Sequence, residues 1–133
     1  MQDKVTQFGV HYMLDCYGAP SGLLKNKEKL SNILNSLPAE MGMHAICEPV
    51  VVEVGPMNRK DPGGLSGFIM IAESHMSFHT FPERGFVTID VYTCQNEMDT
   101  IKLTTLFEEA FQFTHSEVFV KPRGTKYPTD NIY

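Results

Sequence analysis

The residues best suited to chemistry in this 133-residue chain lie between Glu73 and Glu83 and at Cys94. Ser74 directly follows a carboxylate residue, His79 comes five residues later, and the Cys94 thiol lies beyond an apolar run. The Ser74 hydroxyl could attack the carbonyl carbon of Glu73 and convert that amide into an ester. Serine is a poor nucleophile unless a base takes its proton and nearby donors stabilise the oxyanion. The pattern therefore suits self-cleavage of the backbone between Glu73 and Ser74.

Simpler interpretations of these residues remain open. A serine at the end of a strand, such as Ser74, or beside glycines, such as Ser66, is commonly a turn residue. His75 and His79 could instead ligate zinc together with Cys94. Against zinc, a His-x-x-x-His pair shares one face only on a helix, and this segment has the character of a strand and a turn.

Composition and charge narrow the possible functions. The formal net charge of -5 and the sequence pI of about 5.4 argue against a nucleic-acid or anionic-membrane surface and favour a cationic ligand. The three cysteines lack C-x-x-C spacing, and no secretory signal pattern opens the chain, so we expect a reducing cytoplasm. No apolar run is long enough to span a membrane. The remaining cysteines and two further histidines are interpreted as packing or surface residues: Cys16, Cys47, His11 and His44.

The rest of the chain predicts the elements that position this segment. β-branched and aromatic runs predict strands at residues 7–14, 45–54, 67–72, 86–92 and 116–121. Apolar residues at helical spacing predict one helix over 22–37, ending before Pro38, and a second helix capped by Asp99. A polar loop at 55–64 is long enough to be functional, and the tail from Pro122 is expected to be irregular. This order predicts a single two-layer α+β domain, an antiparallel sheet with two helices on one face.

The run Glu-Ser-His-x-Ser-x-His-Thr-x-Pro-Glu, with a cysteine eleven residues after its last glutamate, resembles the motif of the small prokaryotic S-adenosylmethionine decarboxylase family. The resemblance is strong from Asp61 to Cys94. It implies a proenzyme of residues 1–133 that cleaves itself into a β chain, 1–73, and an α chain, 74–133. It further implies that Ser74 becomes a pyruvoyl group, a covalent cofactor that binds the substrate as a Schiff base.

The same resemblance implies roles for other side chains. His79 matches the proton carrier of processing, Ser66 a polar assistant to that step, and Cys94 the proton donor in decarboxylation. Glu83 matches a carboxylate that binds ribose hydroxyls. Asp15 falls near an acidic position of the family that could meet a cationic group, and a solvated turn residue is an equal interpretation.

The substrate is less well defined by the sequence, because Lys60 occupies a position where the family commonly has an aromatic that stacks on adenine. A lysine has no aromatic face, although its stem can cover apolar surface. The first hypothesis is S-adenosylmethionine, in spermidine and polyamine biosynthesis. The alternatives are L-arginine or L-ornithine, accepted by a relative that lost its adenine platform, and an unprocessed relative without enzymatic activity.

The expected assembly follows from the predicted layers. One sheet face of a two-layer domain is left without helices and needs a cover. The resemblance implies a homodimer of cleaved protomers, as in the small family members, with the site for a small cationic amino-acid-type substrate built between the subunits, and the uncovered sheet face gives a physical reason for that pairing. No metal site is predicted.

Overall fold

The computed structural model describes residues 7–130, in which six strands form one antiparallel sheet. The strands are β1 (Gly9–Tyr17), β2 (Val50–Val54), β3 (Gly64–Ile71), β4 (Ser74–Phe81), β5 (Phe86–Thr93) and β6 (His115–Arg123). Their order across the sheet is β2-β3-β4-β5-β1-β6. The helices are α1 (Ser21–Leu24), α2 (Lys27–Glu40) and α3 (Thr100–Phe111), with a one-turn 3-10 helix at Pro82–Arg84.

One face of the sheet packs against the helices and forms the core. Alternate strand residues point to this face, as the two-residue period of a strand requires. They form one buried cluster with apolar side chains of α2 and α3, whose members include Tyr12, Leu14, Leu30, Leu34, Met76, Phe78, Ile89, Phe107 and Phe111. The predicted two-layer α+β fold is confirmed.

The opposite face of the sheet, called here the open face, carries the other half of the strand residues. These include Asp15, Phe68, His75, His79 and Phe119. Phe68 and Phe119 are 41% and 48% exposed, although phenylalanine is usually buried. The open face therefore combines apolar surface with Asp15, Ser66 and His79, three of the residues that the sequence selects.

The predicted helix over 22–37 is in fact two helices. Asn26 separates them and caps α2, its side chain accepting a hydrogen bond of 3.1 Å from the Lys29 amide. Asparagine is a favoured N-cap because its side-chain oxygen satisfies an amide that the first turn leaves unpaired. Pro38 was predicted to lie beyond the helix but belongs to its last turn.

All five predicted strands have somewhat different limits in the structure; the strand predicted at 67–72, for example, is Gly64–Ile71. The strand predicted at 7–14 runs from Gly9 to Tyr17. The strand predicted at 45–54 is only Val50–Val54, with Ala45 making an isolated bridge to Ile71. The last strand extends through Pro122, which the edge strand β6 accommodates because an edge can lack an amide donor. The predicted irregular tail thus begins at residue 124, and residues 131–133 lie outside the described part.

Strand β4 carries the segment singled out for its chemistry, which the sequence had suggested only to have strand and turn character. It pairs with β3 through a two-residue turn, Ala72 and Glu73, and with β5 on its other side. Ser74 is therefore the first residue of a central strand. Sites built on paired strands are held more rigidly than sites on loops.

Candidate active site

The peptide bond between Glu73 and Ser74 lies at the tip of the β3–β4 hairpin, next to the turn that follows β5. The Cys94 amide donates a hydrogen bond of 2.8 Å to the carbonyl oxygen of Glu73. Such a donor withdraws electron density from the carbonyl and would stabilise negative charge on its oxygen during nucleophilic attack. The structure thus places Cys94 beside the bond that the sequence predicts to break.

His44 fixes the acyl side of this bond by binding the Glu73 carboxylate. Its amide donates to one carboxylate oxygen at 3.0 Å, and its Nδ1 lies 2.7 Å from the other. Burial by itself raises the pKa of Glu73, but these hydrogen bonds outweigh burial and leave the pKa below its ordinary value. The Glu73 side chain is therefore ionised at neutral pH, and both of its oxygens are hydrogen-bonded to His44.

His75 lies on the other side of the bond, next to the serine hydroxyl. Ser74 Oγ and His75 Nδ1 are 3.3 Å apart. The imidazole stacks on Phe68, with ring centroids 5.5 Å apart, and meets the edge of Tyr92 at 5.8 Å. Burial lowers the pKa of His75, and the nearby His11 lowers it further. His75 is therefore a neutral imidazole at pH 7.

Ser66 and His79 form a second polar group on the open face. The two residues are direct partners in the register of β3 and β4. Ser66 Oγ lies 2.8 Å from His79 Nδ1. Ser66 and His79, to which the resemblance assigns the same processing step, are thus joined by a direct hydrogen bond.

This pair does not reach Ser74 within one protomer. His79 is five residues further along β4 than Ser74, and an extended strand rises ~3.3 Å per residue, or roughly 17 Å over that distance. The same spacing separates His75 from His79 by roughly 13 Å, which rules out one zinc ion bound by both within one chain. Across residues 7–130, no cluster of three or more His, Cys, Asp or Glu side chains could hold a metal ion.

Asp15 belongs to the same row of the open face as His79. It lies within β1 and not in a turn, so its interpretation as a turn residue is wrong. Thr88 Oγ1 donates to Asp15 Oδ1 at 2.9 Å, and Thr88 also pairs with His79 in the register of β4 and β5. Asp15 is therefore a fixed carboxylate near the Ser66–His79 pair.

A cavity of about 580 Å³ opens beyond the far end of β4. Its lining residues are Tyr17, Asn58, Lys60, Asp61, Phe81, Arg84 and Phe86. The aromatic rings form a ladder, with centroids 5.8 Å apart for Phe81 and Phe86 and 5.4 Å apart for Phe86 and Tyr17. Glu83 is exposed on the 3-10 helix that follows Phe81. The cavity therefore brings aromatic ring faces together with polar side chains of the loop that carries Lys60.

The three cysteines have different environments. Cys16 is fully buried, and burial raises the pKa of its thiol to about 12, so it is inert. The Cys47 sulfur accepts a hydrogen bond of 3.3 Å from the Met70 amide. Cys16 is therefore a packing residue, as the sequence predicts. Cys94, by contrast, is exposed beside Glu73.

Sequence reasoning missed the contacts made by His44, His75 and His11. For His75 the sequence did contain a signal, because this histidine directly follows Ser74. His44 is 29 residues from Glu73, and His11 is 79 residues from Asp90, its partner at 2.8 Å. Only strand pairing brings such distant residues together, so no local pattern could reveal them.

Within the described part of the chain, none of the helices is long and apolar enough to cross a membrane.

Comparisons with known proteins agree with the fold and with the motif. A family model described as S-adenosylmethionine decarboxylase matches residues 10–124. A protein of Picrophilus torridus, named S-adenosylmethionine decarboxylase proenzyme, is 40% identical over 122 residues, covering 92% of this chain and 88% of that protein. A proenzyme of the same name from Thermococcus gammatolerans is 28% identical over 129 residues, covering 97% of this chain and 85% of that protein.

The fold is also that of a solved structure. The crystal structure of the adenosylmethionine decarboxylase from Aquifex aeolicus matches with a TM-score of 0.76 at 24% identity, covering 90% of this chain and 93% of that one. Since the family model spans most of the chain and the Picrophilus protein is similar along nearly all of it, the chain belongs to the S-adenosylmethionine decarboxylase family and is a carboxy-lyase.

Proposed function

We propose that this chain cleaves itself between Glu73 and Ser74 and that the cleaved protein decarboxylates S-adenosylmethionine for spermidine synthesis. The observation that carries the proposal is the hydrogen bond from the Cys94 amide to the Glu73 carbonyl oxygen at 2.8 Å. It activates the one carbonyl that the adjacent serine must attack. Membership in a family with relatives named as proenzymes supports the same reading.

The proposed processing proceeds in two stages. Attack by Ser74 Oγ exchanges the Glu73–Ser74 amide for an ester, and removal of the Ser74 α-proton then expels the main-chain carboxylate of Glu73, which becomes the C-terminus of the β chain. The product is a dehydroalanine, and hydrolysis of its imine tautomer consumes water, releases ammonia and leaves a pyruvoyl group at residue 74. His79, supported by Ser66, is the proposed base for the α-proton. The pyruvoyl group supplies an electron sink for the pair released with carbon dioxide, and the Cys94 thiol is the proposed donor that then protonates the substrate carbon.

A second copy of the chain is needed to bring His79 to Ser74, because roughly 17 Å of strand separates them within one protomer. The open face offers a surface for that copy, with Val50, Phe68 and Phe119 exposed by 54%, 41% and 48%. A two-fold pairing through this face would place the His79 of each subunit near the Ser74 of the other. We therefore propose a homodimer with two shared sites.

The cavity at the Lys60 loop favours S-adenosylmethionine over L-arginine or L-ornithine. Lys60 stands where the family commonly has an aromatic residue, but Phe81 and Phe86 in the same cavity supply other aromatic faces for adenine. Lys60 and Arg84 in the lining would repel the charged end of an arginine or ornithine side chain, whereas the adenine proposed to lie here is uncharged. We propose Glu83 as the ribose partner and Asp15 as the group that meets the substrate's cationic part.

Intact mass and carbon dioxide release together test this proposal. The expected result is two fragments, residues 1–73 and 74–133, and carbon dioxide from S-adenosylmethionine but not from L-arginine or L-ornithine. Ser74→Ala is the control and should remain a single inactive chain. A wild-type protein that stays whole and yet binds a nucleoside or an amine would instead identify a non-enzymatic relative.

A further inference from the structure

Among residues 7–130 of one protomer, the Ser74 hydroxyl has one candidate proton acceptor in direct reach, and it is not the histidine that the sequence resemblance selects. We propose that His75 is the general base that removes the Ser74 hydroxyl proton in the first stage of self-cleavage. This inference rests on the proposed function, since it assigns a residue to the cleavage of the Glu73–Ser74 bond. It separates two proton transfers, the first at His75 and the second at His79.

Geometry supports His75 in this role. Ser74 Oγ and His75 Nδ1 are 3.3 Å apart, and catalytic hydrogen bonds are often this loose before the reacting groups close. Along the described residues 7–130, His75 is the only titratable side chain hydrogen-bonded to that hydroxyl. Phe68 stacks on the ring at an interplanar angle of 25°, and Tyr92 meets it nearly edge-on at 70°, so the imidazole is held in place.

The other groups near the scissile bond are already engaged. Both oxygens of the Glu73 carboxylate bind His44, by its amide and its ring. The Cys94 amide binds the Glu73 carbonyl oxygen, where it stabilises the oxyanion. Within the same protomer His79 is bonded to Ser66, roughly 17 Å away along β4, and the His79 supplied by a second copy has the later task of removing the α-proton.

The protonation state of His75 suits a base. A base must be neutral before the reaction, and the pKa of His75 lies below its ordinary value of 6.5 because of burial and the nearby His11. Asp90 opposes this effect, while Tyr92 is the remaining titratable neighbour of the ring. Arg123 faces the same cluster, 5.0 Å from the Tyr92 ring.

The proposed step balances without water or an added reagent. In the neutral tautomer with a proton on Nε2, His75 Nδ1 accepts the proton of Ser74 Oγ as that oxygen bonds to the Glu73 carbonyl carbon. The carbon–nitrogen bond between Glu73 and Ser74 then breaks, and the imidazolium returns its proton to the departing nitrogen. The product is an ester with a free amine on residue 74, an isomer of the starting chain.

The test follows cleavage of the full-length proenzyme after cell-free synthesis, by intact mass against time. His75→Ala should slow cleavage by about 10² to 10⁴, the usual contribution of general-base catalysis. Added imidazole should restore part of the lost rate. The wild-type rate should fall as acid protonates His75, with its midpoint below pH 6.5, and His75→Ala should lose that dependence.

Hydroxylamine, which cleaves esters, distinguishes the two histidines. His79→Ala should accumulate a chain that hydroxylamine cleaves at residue 73, whereas His75→Ala should not. His115→Ala is the matched control, because His115 stacks on Tyr17 near the far end of the sheet and should leave cleavage unchanged. His75→Asn, which retains a polar acceptor but is not basic, should fold like wild type and remain uncleaved.

Each alternative outcome has a distinct meaning. Wild-type cleavage rates in folded His75→Ala or His75→Asn would overturn the inference and leave the proposed function intact. Slow cleavage that imidazole does not restore, with the pH dependence unchanged, would make His75 a structural residue and also overturn it. A wild-type chain that never cleaves would reject the proposed function itself.

Discussion

At the residue scale, Cys94 contributes two groups that the proposed chemistry uses at different times. Its amide donates to the Glu73 carbonyl oxygen at 2.8 Å in the uncleaved chain. Its thiol is exposed and is the proposed proton donor in turnover. The amide belongs to the backbone and survives replacement of the side chain, so substitution can separate the two tasks.

Cys94→Ala should therefore cleave itself but decarboxylate slowly. Carbon dioxide release should fall by about 10² to 10⁴, the range for loss of an acid catalyst. Intact mass should still show fragments 1–73 and 74–133. Cys47→Ala is the control, because the Cys47 thiol is hydrogen-bonded to the Met70 backbone and packs at the edge of the core, away from the chemistry proposed for Cys94. An uncleaved Cys94→Ala protein that is folded would mean that the thiol itself takes part in processing.

At the scale of elements, α2 sets the position of the hairpin that carries the site. Gly67 of β3 lies where a side chain would collide with its neighbours, because an added Cβ would come within 2.6 Å of Phe78 and 3.0 Å of Leu34. The close approach lets the apolar stripe of α2 pack directly on β3 and β4. Helix packing is therefore coupled to the register that joins Ser66 to His79.

Leu34→Ala should lower the free energy of unfolding by about 2 to 5 kcal/mol, because it leaves a cavity at a fully buried contact. Leu34 is 1% exposed. Urea unfolding of the cleavage-deficient Ser74→Ala chain measures the change without interference from processing. Ile101→Ala, at a position 82% exposed, should change stability by less than about 0.5 kcal/mol. Equal effects of the two substitutions would contradict the assigned packing.

At the scale of the whole molecule, one protomer holds two incomplete halves of the proposed site. Glu73, Ser74 and Cys94 lie at one end of β4, whereas Ser66 and His79 lie roughly 17 Å along the strand. An exposed apolar face links the two halves. The proposed homodimer accounts for both facts, because a second copy would cover the open face and complete each half.

Mixed dimers test this arrangement. Neither Ser74→Ala nor His79→Ala should complete processing alone. Coexpressed, they should form mixed dimers in which an intact Ser74 meets an intact His79 from the other subunit. Part of the His79→Ala chains, up to about half for random pairing, should then carry a pyruvoyl group by intact mass. A complete absence of that product in demonstrably mixed dimers would place the whole site within one chain.

Much of the fold follows from local patterns in the chain. The β-branched runs and the Asp99 cap predict strands and a helix that the structure contains, with Asp99 accepting from the Lys102 amide at 3.0 Å. The sequence did not predict that the first helix is interrupted at Asn26 or that α2 includes Pro38. A helix end depends on which backbone groups find hydrogen-bond partners, and a local pattern does not reveal this. For β4 the sequence suggested only strand and turn character, because Met76, Phe78 and Thr80 face the core and polar residues alternate with them.

The chain by itself determined the family, the layered fold and the candidate nucleophile, because a long motif and the hydrophobic periodicity are properties of neighbouring residues. Only the tertiary structure decided what surrounds the scissile bond: the Cys94 amide on its carbonyl, His44 on Glu73, and His75 on the serine. It also separated His79 from Ser74. The reason is physical, since strand pairing and extended geometry decide which distant residues meet and which near ones stay apart.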